Sequence, residues 1–280
     1  MAHPAQGSHR RPESDTRPTG ADRVRHVVVS VSAVLAILGA MVGSGALGGE
    51  SMPEAAGGAF AADATHVAPA GPAFSIWSVI YIGLVAYAVW QWLPAPAAAE
   101  RHRRVGFWIA ASMLLNAVWL LVVQAALLWL SLAVMAVLLV VLVIVLVELR
   151  SRPSTGVVDT IVTDGTAGLY LGWIVVATVA NVAAVLAEAG LRESVSSPGA
   201  WAVAVLAVAG LVGSALALWS RGRLAPSVAI CWGLAWVGVA RLTGDLLSGP
   251  AAYAAIAAAA VVAIVTVSAR LRRARTTVES

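Results

Sequence analysis

Aromatic and amide side chains recur at helical spacing in three apolar segments of the chain. In the first segment Trp77 and Tyr81 are four residues apart, and in the second Asn116 and Trp119 are three apart. Residues at these spacings share one face of a helix. Aromatic rings offer flat stacking surfaces, and an amide group both donates and accepts hydrogen bonds. Aromatic faces with a few polar groups are typical of a pocket for a small molecule.

The third segment carries a longer stripe of the same kind. Tyr170, Trp173, Ala177 and Asn181 advance by three, four and four residues, which places them along one helix face. The small side chain of Ala177 leaves room for a flat molecule beside the aromatic and amide groups. Three helices therefore present aromatic faces with a few polar groups between them.

The two asparagines, Asn116 and Asn181, have a second interpretation. Lipid offers no hydrogen-bond partner, so an amide in the membrane interior finds its partner within the helix bundle. Hydrogen bonds between helices contribute on the order of 1 kcal/mol each. From the residues alone, this packing role is favoured over contact with a ligand.

The amino-acid composition indicates which kind of secondary-structure element carries these aromatic faces. Hydrophobic residues make up 60% of the chain, charged residues make up 11%, and the mean hydropathy is +0.87. A globular chain is only about half apolar. The apolar residues here come in runs of about twenty, long enough to cross roughly 30 Å of hydrocarbon as a helix. The sequence therefore predicts an all-α membrane protein, and no alternating pattern supports a β-barrel.

About eight transmembrane helices are predicted. The spans are residues 27–47, 74–93, 105–123, 126–147, 167–186, 200–219, 228–246 and 251–267. Residues 105–147 are too long for a single span, so a tight hairpin near Gln124 is required.

Arginine placement predicts the orientation of these spans. All 18 basic residues are arginines, and most of them precede the first span, fall in alternate connections or follow the last span. These arginines are Arg23, Arg25, Arg101, Arg103, Arg104, Arg150, Arg152, Arg221, Arg223, Arg270, Arg272, Arg273 and Arg275. The opposite connections are mostly acidic, with Arg192 as the exception. The positive-inside rule then puts both termini in the cytoplasm, and we expect a multi-pass protein of a bacterial plasma membrane.

The ends of the chain carry polar segments. Residues 1–24 are predicted to form a disordered cytoplasmic arm, and residues 270–280 a basic cytoplasmic tail. In an alternative interpretation, the first span is a signal peptide that is cleaved near residues 46–49. The pI near 10.0 reflects the topology-determining arginines, so no nucleic-acid partner is predicted.

No active-site motif of a soluble enzyme is visible in the sequence. There is no Walker loop, nucleophile elbow or pair of histidines at metal spacing, so we predict neither a catalytic residue nor a metal site. The single cysteine, Cys231, excludes a disulfide scaffold within one chain. All five histidines fall in predicted termini or connections; they are His3, His9, His26, His66 and His102.

One arginine, Arg241, lies inside a predicted span, and Asp245 follows four residues later. A charged residue within a span indicates a functional role by default. Arg241 is close to the outer end of its span, however, where snorkelling to the interface costs little. Structural anchoring is therefore the first interpretation, and contact with an anionic ligand group such as a carboxylate is the second.

Taken together, the three aromatic segments resemble the TspO/MBR family, the translocator or tryptophan-rich sensory proteins. That family shows W-x-x-x-Y on its second helix, N-x-x-W on its third, and Y-x-x-W with a downstream asparagine on its fifth. The matching residues are Trp77 and Tyr81, Asn116 and Trp119, and Tyr170 and Trp173 with Asn181. The order and the helix numbers agree, and the resemblance covers about residues 27–186, the length of the usual family domain.

The chain departs from the family pattern in three places. The first loop, residues 50–71, is longer and rich in alanine instead of proline and tryptophan. Leu169 replaces the proline that normally precedes the fifth-helix tyrosine, and three further helices follow the fifth. We therefore predict a divergent, extended member with a five-helix TspO-like domain over residues 25–190 and three additional helices over 198–269.

The resemblance implies a ligand that is hydrophobic and planar, such as a porphyrin or other tetrapyrrole, or a sterol-like or lipid molecule. The protein would sense, sequester or translocate it, with rings stacked on aromatic faces and amides orienting polar substituents. The predicted ligand-binding residues are Trp77, Tyr81, Asn116, Trp119, Tyr170, Trp173 and Asn181. Porphyrin would be a ligand, and no cofactor is expected; membrane lipids are the remaining partners.

Two other functions stay open. The first is secondary transport of an unrelated small solute, although no clear inverted repeat or mid-membrane carboxylate is present. The second is an enzyme that degrades porphyrins through tryptophan chemistry, as some family members are thought to do. The resemblance also implies a homodimer, but the small-residue pairs Gly39–Gly43 and Gly210–Ser214 more often serve packing within a chain.

Overall fold

Eight long helices make up most of the protein. The computed structural model describes residues 17–46, 50–190 and 197–278, and no strand occurs in these ranges. The helices are α1 (Gly20–Gly43), α2 (Ile76–Trp90), α3 (Glu100–Gln124), α4 (Leu128–Ser151), α5 (Thr166–Glu188), α6 (Pro198–Trp219), α7 (Leu224–Thr243) and α8 (Gly249–Val278). With the turns that lead into α2 and α5, each is long and apolar enough to cross a membrane. The prediction of an all-α membrane protein with eight spans is confirmed.

Short elements precede two of the helices and occupy two connections. A 3₁₀ turn (Gly71–Ser75) leads into α2, and a helical turn (Val157–Asp159) with a π-helical turn (Thr160–Gly165) leads into α5. Single turns at Ala55–Gly58 and Pro94–Ala97 lie in the first and second connections. The first connection before the 3₁₀ turn, residues 50–70, is called loop 1 below.

Several helices begin before the predicted spans. Helix α1 starts at Gly20 because Thr19 and Asp22 form a capping box that satisfies its first backbone N–H groups. Helix α3 starts at Glu100, which places Arg101 and Arg103 inside a helix and not in a connection. The predicted disordered arm is therefore helical from Gly20. Outside the described ranges lie residues 1–16, residues 47–49 of the alternative cleavage region, and Arg192. The predicted basic tail continues α8 as far as Val278.

The hairpin predicted near Gln124 joins α3 and α4. Helix α3 ends at Gln124, and the backbone N–H of Leu127 donates to Val122 O at 3.1 Å. Ala126 has a positive φ of 56°, the left-handed conformation that ends many helices. An alanine can thus turn the chain sharply where neither glycine nor proline signals a turn.

Small residues bring helices close together within the chain. A Cβ on Gly39 would lie 3.0 Å from Ala117 Cβ of α3, and one on Gly210 would lie 3.0 Å from Ala258 Cβ of α8. Both small-residue pairs therefore take part in internal packing. Helix α7 packs on α5 in the same way, since a Cβ on Gly168 would lie 2.8 Å from Ala225 Cβ. This contact attaches the last three helices to the first five.

Ion pairs join the helices at the end of the bundle where α1, α3, α5 and α7 begin, called the arginine end below. Asp22 of α1 accepts from Arg25 at 3.1 Å and from Arg103 Nε and Nη2 of α3 at 2.9 and 2.8 Å. A second group centres on Asp164 of the π-helical turn. Arg101 of α3 and Arg223, the residue before α7, both pair with this carboxylate.

Two histidines are also buried at the arginine end, where the sequence predicted termini or connections. His26 lies in α1 and His102 in α3. His102 Nε2 is 3.4 Å from the Asp159 carboxylate. These rings are therefore part of the helix packing and do not face solvent.

Candidate functional site

The predicted aromatic residues meet around Trp77. Its ring stacks on Tyr81 with centroids 5.5 Å apart and planes inclined by 28°. Tyr170 and Trp173 of α5 approach it edge-on at 5.7 and 6.4 Å. Spacing along each helix placed these rings on common faces, and the packing of α2 against α5 brings the faces together.

Hydrogen bonds connect the predicted amides to the same cluster. Asn116 Nδ2 donates to Tyr81 OH at 2.8 Å, and Trp119 Nε1 donates to Asn181 Oδ1 at 3.2 Å. Ser131 Oγ of α4 donates to the same Asn181 oxygen at 3.2 Å. Both asparagines therefore bond between helices, which is the packing role that the residues alone favoured.

A cavity of about 580 Å³ opens beside Trp77 and Tyr81. It lies between the last turns of α1, the start of loop 1 and the start of α2. Its lining residues are Ile37, Ala40, Met41, Gly43, Ser44, Ser51, Met52, Pro53, Gly71, Phe74, Trp77, Ser78, Tyr81, Ile82 and Leu120. Only two of the seven predicted site residues line this space.

A second, much smaller cavity of about 30 Å³ lies deeper between α3, α5 and loop 1. Trp119 and Trp173 line it, together with Ala177, whose small side chain was predicted to leave room. Phe74 lines both cavities and forms the wall between them. Phe60 of loop 1 lines this small cavity and meets the Trp119 ring edge-on at 5.9 Å.

Three polar atoms of the predicted site are buried without a hydrogen-bond partner among the described residues. They are Asn116 Oδ1, Trp173 Nε1 and Asn181 Nδ2. An unsatisfied buried donor or acceptor costs about 1–3 kcal/mol. Of these three residues only Trp173 lines a cavity, the small one, while Asn116 and Asn181 line neither cavity.

The rim of the larger cavity carries a negative charge. Ser51 Oγ and the Ser51 backbone N–H donate to the Glu54 carboxylate at 2.7 and 3.3 Å. These hydrogen bonds stabilise the ionised form and lower the pKa of Glu54 below its ordinary value. Because its hydroxyl hydrogen is engaged, Ser51 Oγ offers a ligand only acceptor lone pairs.

Comparison with known families settles the relationship of the chain. A family model described as TSPO-like protein matches residues 26–268. The chain belongs to the TSPO-like protein family. No curated protein and no solved structure matches it significantly. The matched region runs from α1 into α8, so it includes the three helices that follow the five-helix segment on which the resemblance was based.

In this TSPO-like protein Arg241 supports loop 1. Its side chain is 1% exposed and donates to the backbone oxygen of Ala62. Asp245 lies beyond the last residue of α7, and Arg241 bonds to the loop instead of this carboxylate. The anchoring interpretation thus has a structural basis, while contact with an anionic ligand group stays a prediction.

Sequence reasoning missed the residues of α1 and loop 1 that line the larger cavity. Ile37, Met41 and Ser44 advance by four and three, so they form one face of α1 that could have been recognised. Loop 1 carried no comparable signal. Its residues approach the site through contacts with α7, more than 150 positions away in sequence.

We expect Asn181→Leu to destabilise this TSPO-like protein by about 1 kcal/mol, because it removes the acceptor of Trp119 and Ser131. The measurement is the melting temperature of the detergent-solubilised protein. Ser214→Ala is the matched control, since the buried Ser214 hydroxyl has no hydrogen-bond partner in the described part of the chain. Equal melting temperatures for the two variants would contradict a packing role for Asn181.

Proposed function

We propose that this TSPO-like protein binds a planar, largely apolar molecule of the porphyrin, tetrapyrrole or sterol-like class. The observation that carries the proposal is the cavity of about 580 Å³ walled by Trp77 stacked on Tyr81. Pockets for small molecules have volumes of about 300–1,000 Å³ and mostly apolar walls with few polar groups. The stacked rings offer a flat surface of the kind that a conjugated macrocycle would cover.

The polar groups of the cavity match substituents at the edge of such a ring. Tyr81 OH already accepts from Asn116, so its own hydrogen is available to donate to a ligand. Ser78 lines the same wall, and Ser51 adds acceptor lone pairs at the rim. A mostly apolar ring with one or two acceptor substituents would therefore satisfy the walls.

The same proposal includes the setting of the protein. With the arginine end in the cytoplasm, as the positive-inside rule favours, the cavity opens in the outer half of the membrane. A hydrophobic ligand would enter from the lipid or from the outer surface. Sensing and translocation both require this binding step. Uptake measurements in sealed vesicles distinguish translocation from sensing.

The test is a titration of the purified, detergent-solubilised protein with protoporphyrin, followed by the absorbance of the ligand. We expect saturable binding, weakened about tenfold by Trp77→Leu, since an aromatic anchor commonly contributes more than 1 kcal/mol. Trp201→Leu is the matched control because this tryptophan of α6 is 54% exposed and lies outside the cavity. Absence of saturable binding, or equal affinity in the two variants, would overturn the proposal.

The same titration separates binding from the enzyme alternative. A bound porphyrin keeps its spectrum, shifted by the new environment, for as long as the complex is stored. A progressive loss of the porphyrin bands under light or oxidant, abolished by Trp173→Phe, would favour degradation.

A further inference from the structure

Helix α7 makes three hydrogen bonds to the segment that enters α2. Trp232 Nε1 donates to Ala73 O at 2.9 Å, and the backbone N–H of Ala70 donates to Trp236 O at 3.2 Å. Arg241 donates to Ala62 O. The three attachment points lie at residues 62, 70 and 73, so α7 holds the second half of loop 1 and the turn that follows it.

We propose that Arg241, bonded to Ala62 within loop 1, and Trp232, bonded to Ala73 just after it, are positioning residues that keep loop 1 in the deep half of the ligand site. This inference rests on the proposed function where it concerns a ligand, but the position of loop 1 can be measured without a ligand. The helices that follow α5 would then set the size of the site, because they decide whether loop 1 fills its inner half.

The space that loop 1 occupies borders predicted ligand-binding residues. Phe60 and Ala68 are 8% and 4% exposed and line the small cavity opposite Trp119 and Trp173. With the loop in place only about 30 Å³ remains free there, the share of volume of one liquid water molecule. If loop 1 left this position, Phe74 would separate the larger cavity from an open space.

The side chains of α7 are suited to hold a backbone. A hydrogen bond from a charged donor is stronger than one between neutral groups. Arg241 donates to a carbonyl oxygen and forms no ion pair within 4 Å among the described residues, while the charge of Asp63 in loop 1 attracts it from farther away. Trp232 is held in turn by an edge-on contact with Trp236 at 5.6 Å.

The experiment measures the accessibility of loop 1 through a cysteine. Cys231, the only cysteine of the chain, is first replaced by alanine, and Thr65→Cys then places a thiol in loop 1 beside the small cavity. The rate of labelling by a water-soluble maleimide is compared between this protein and the same protein carrying Trp232→Phe and Arg241→Gln. We expect the α7 substitutions to raise the labelling rate at position 65 at least tenfold.

Two controls separate release of the loop from unfolding. Trp201→Phe with Arg221→Gln makes the same chemical changes at exposed positions and is expected to leave the labelling rate unchanged. Ser112→Cys places a reference thiol in the core of α3, where general unfolding would expose it and loop release would not. Should the double substitution expose this reference thiol as well, Trp232→Phe alone keeps the ring, removes the bond to Ala73 and is expected to give the same selective increase.

Equal labelling at position 65 with and without the α7 substitutions would overturn the inference. That result would leave the larger cavity, and the porphyrin titration that tests it, untouched. Conversely, selective labelling at position 65 in a protein that binds no protoporphyrin would support the loop attachment and reject the proposed ligand class.

Discussion

Asp22→Asn is expected to lower the stability of the protein by about 3 kcal/mol, because it leaves a buried guanidinium without its carboxylate. Arg25 and Asp22 are 1% and 2% exposed, and Asp22 also accepts two bonds from Arg103 of α3. The other acceptors described at Arg25 are the backbone oxygen of Ala97 and the ring of His26. Neither carries the negative charge that compensates the loss of hydration of an arginine.

The substitution also affects the start of α1. Asp22 accepts from the backbone N–H and the hydroxyl of Thr19, so its carboxylate closes the capping box. An asparagine keeps the shape and one acceptor oxygen but loses the charge that favours a helix N-terminus. The loss of the buried ion pair and the loss of the charge at the helix N-terminus both lower the stability of the protein.

Thermal melting in detergent, followed by circular dichroism, measures the change. Glu100→Gln is the matched control, because Glu100 and Arg104 form an exposed pair on α3 with an N–O distance of 2.8 Å. Exposed pairs contribute little since water and salt screen them. A shift as small for Asp22→Asn as for Glu100→Gln would show that the buried pair does not stabilise the bundle.

Gly172→Ala is expected to cost about 1–3 kcal/mol, because the added methyl group overpacks the contact between α5 and α7. A Cβ at this position would lie 2.9 Å from Ala229 Cβ and closer still to Pro226 O, a backbone atom that no rotamer change can move. The two helices would have to separate. Since α7 holds loop 1, the thiol at position 65 should also become easier to label in this variant.

Gly20→Ala is the matched control for this substitution. No atom lies within 4 Å of a Cβ at Gly20, which is the first residue of α1. Alanine there should preserve or slightly raise the melting temperature, since it restricts the unfolded chain more than glycine does. If both variants melted together, the close approach of α5 and α7 would not contribute to stability.

The helices were predictable because hydrocarbon forces every span to be long, apolar and internally hydrogen bonded. This requirement acts locally, so runs of about twenty apolar residues gave the correct number of spans. Helix ends depend on individual side chains, and the capping box of Thr19 moved the start of α1 seven residues ahead of its predicted span, which began at residue 27.

The site was predictable in part, for the same reason. Spacing along a helix determines which side chains share a face, and Trp77, Tyr81, Tyr170 and Trp173 do meet. It does not determine which side of the cluster stays open. The larger cavity is bounded by α1 and loop 1, and Phe60 of loop 1 packs on Trp119 beside the small cavity, because of contacts between distant segments. Whether the seven predicted residues bind a ligand stays a prediction.

The buried ion pairs show a different limit of sequence reasoning. Arginines near span ends were interpreted as topology determinants, which is their average role. Arg103 and Asp22 are 81 positions apart, and only the packing of α1 on α3 shows that they pair. A charged residue near the end of a span can therefore determine topology or form a buried ion pair, and the residues next to it in the sequence do not show which.

The attachment of loop 1 to α7 has a consequence for the synthesis of the protein. Ala62 and its partner Arg241 are 179 residues apart, so the ribosome adds this part of α7 roughly 10–35 s after the loop has been made. By the end of that interval the aromatic residues of α2, α3 and α5 have been made, but loop 1 beside them still lacks its anchor. On the proposed attachment, the newly made protein passes through a stage in which the space beside Trp119 and Trp173 is wider than in the finished protein.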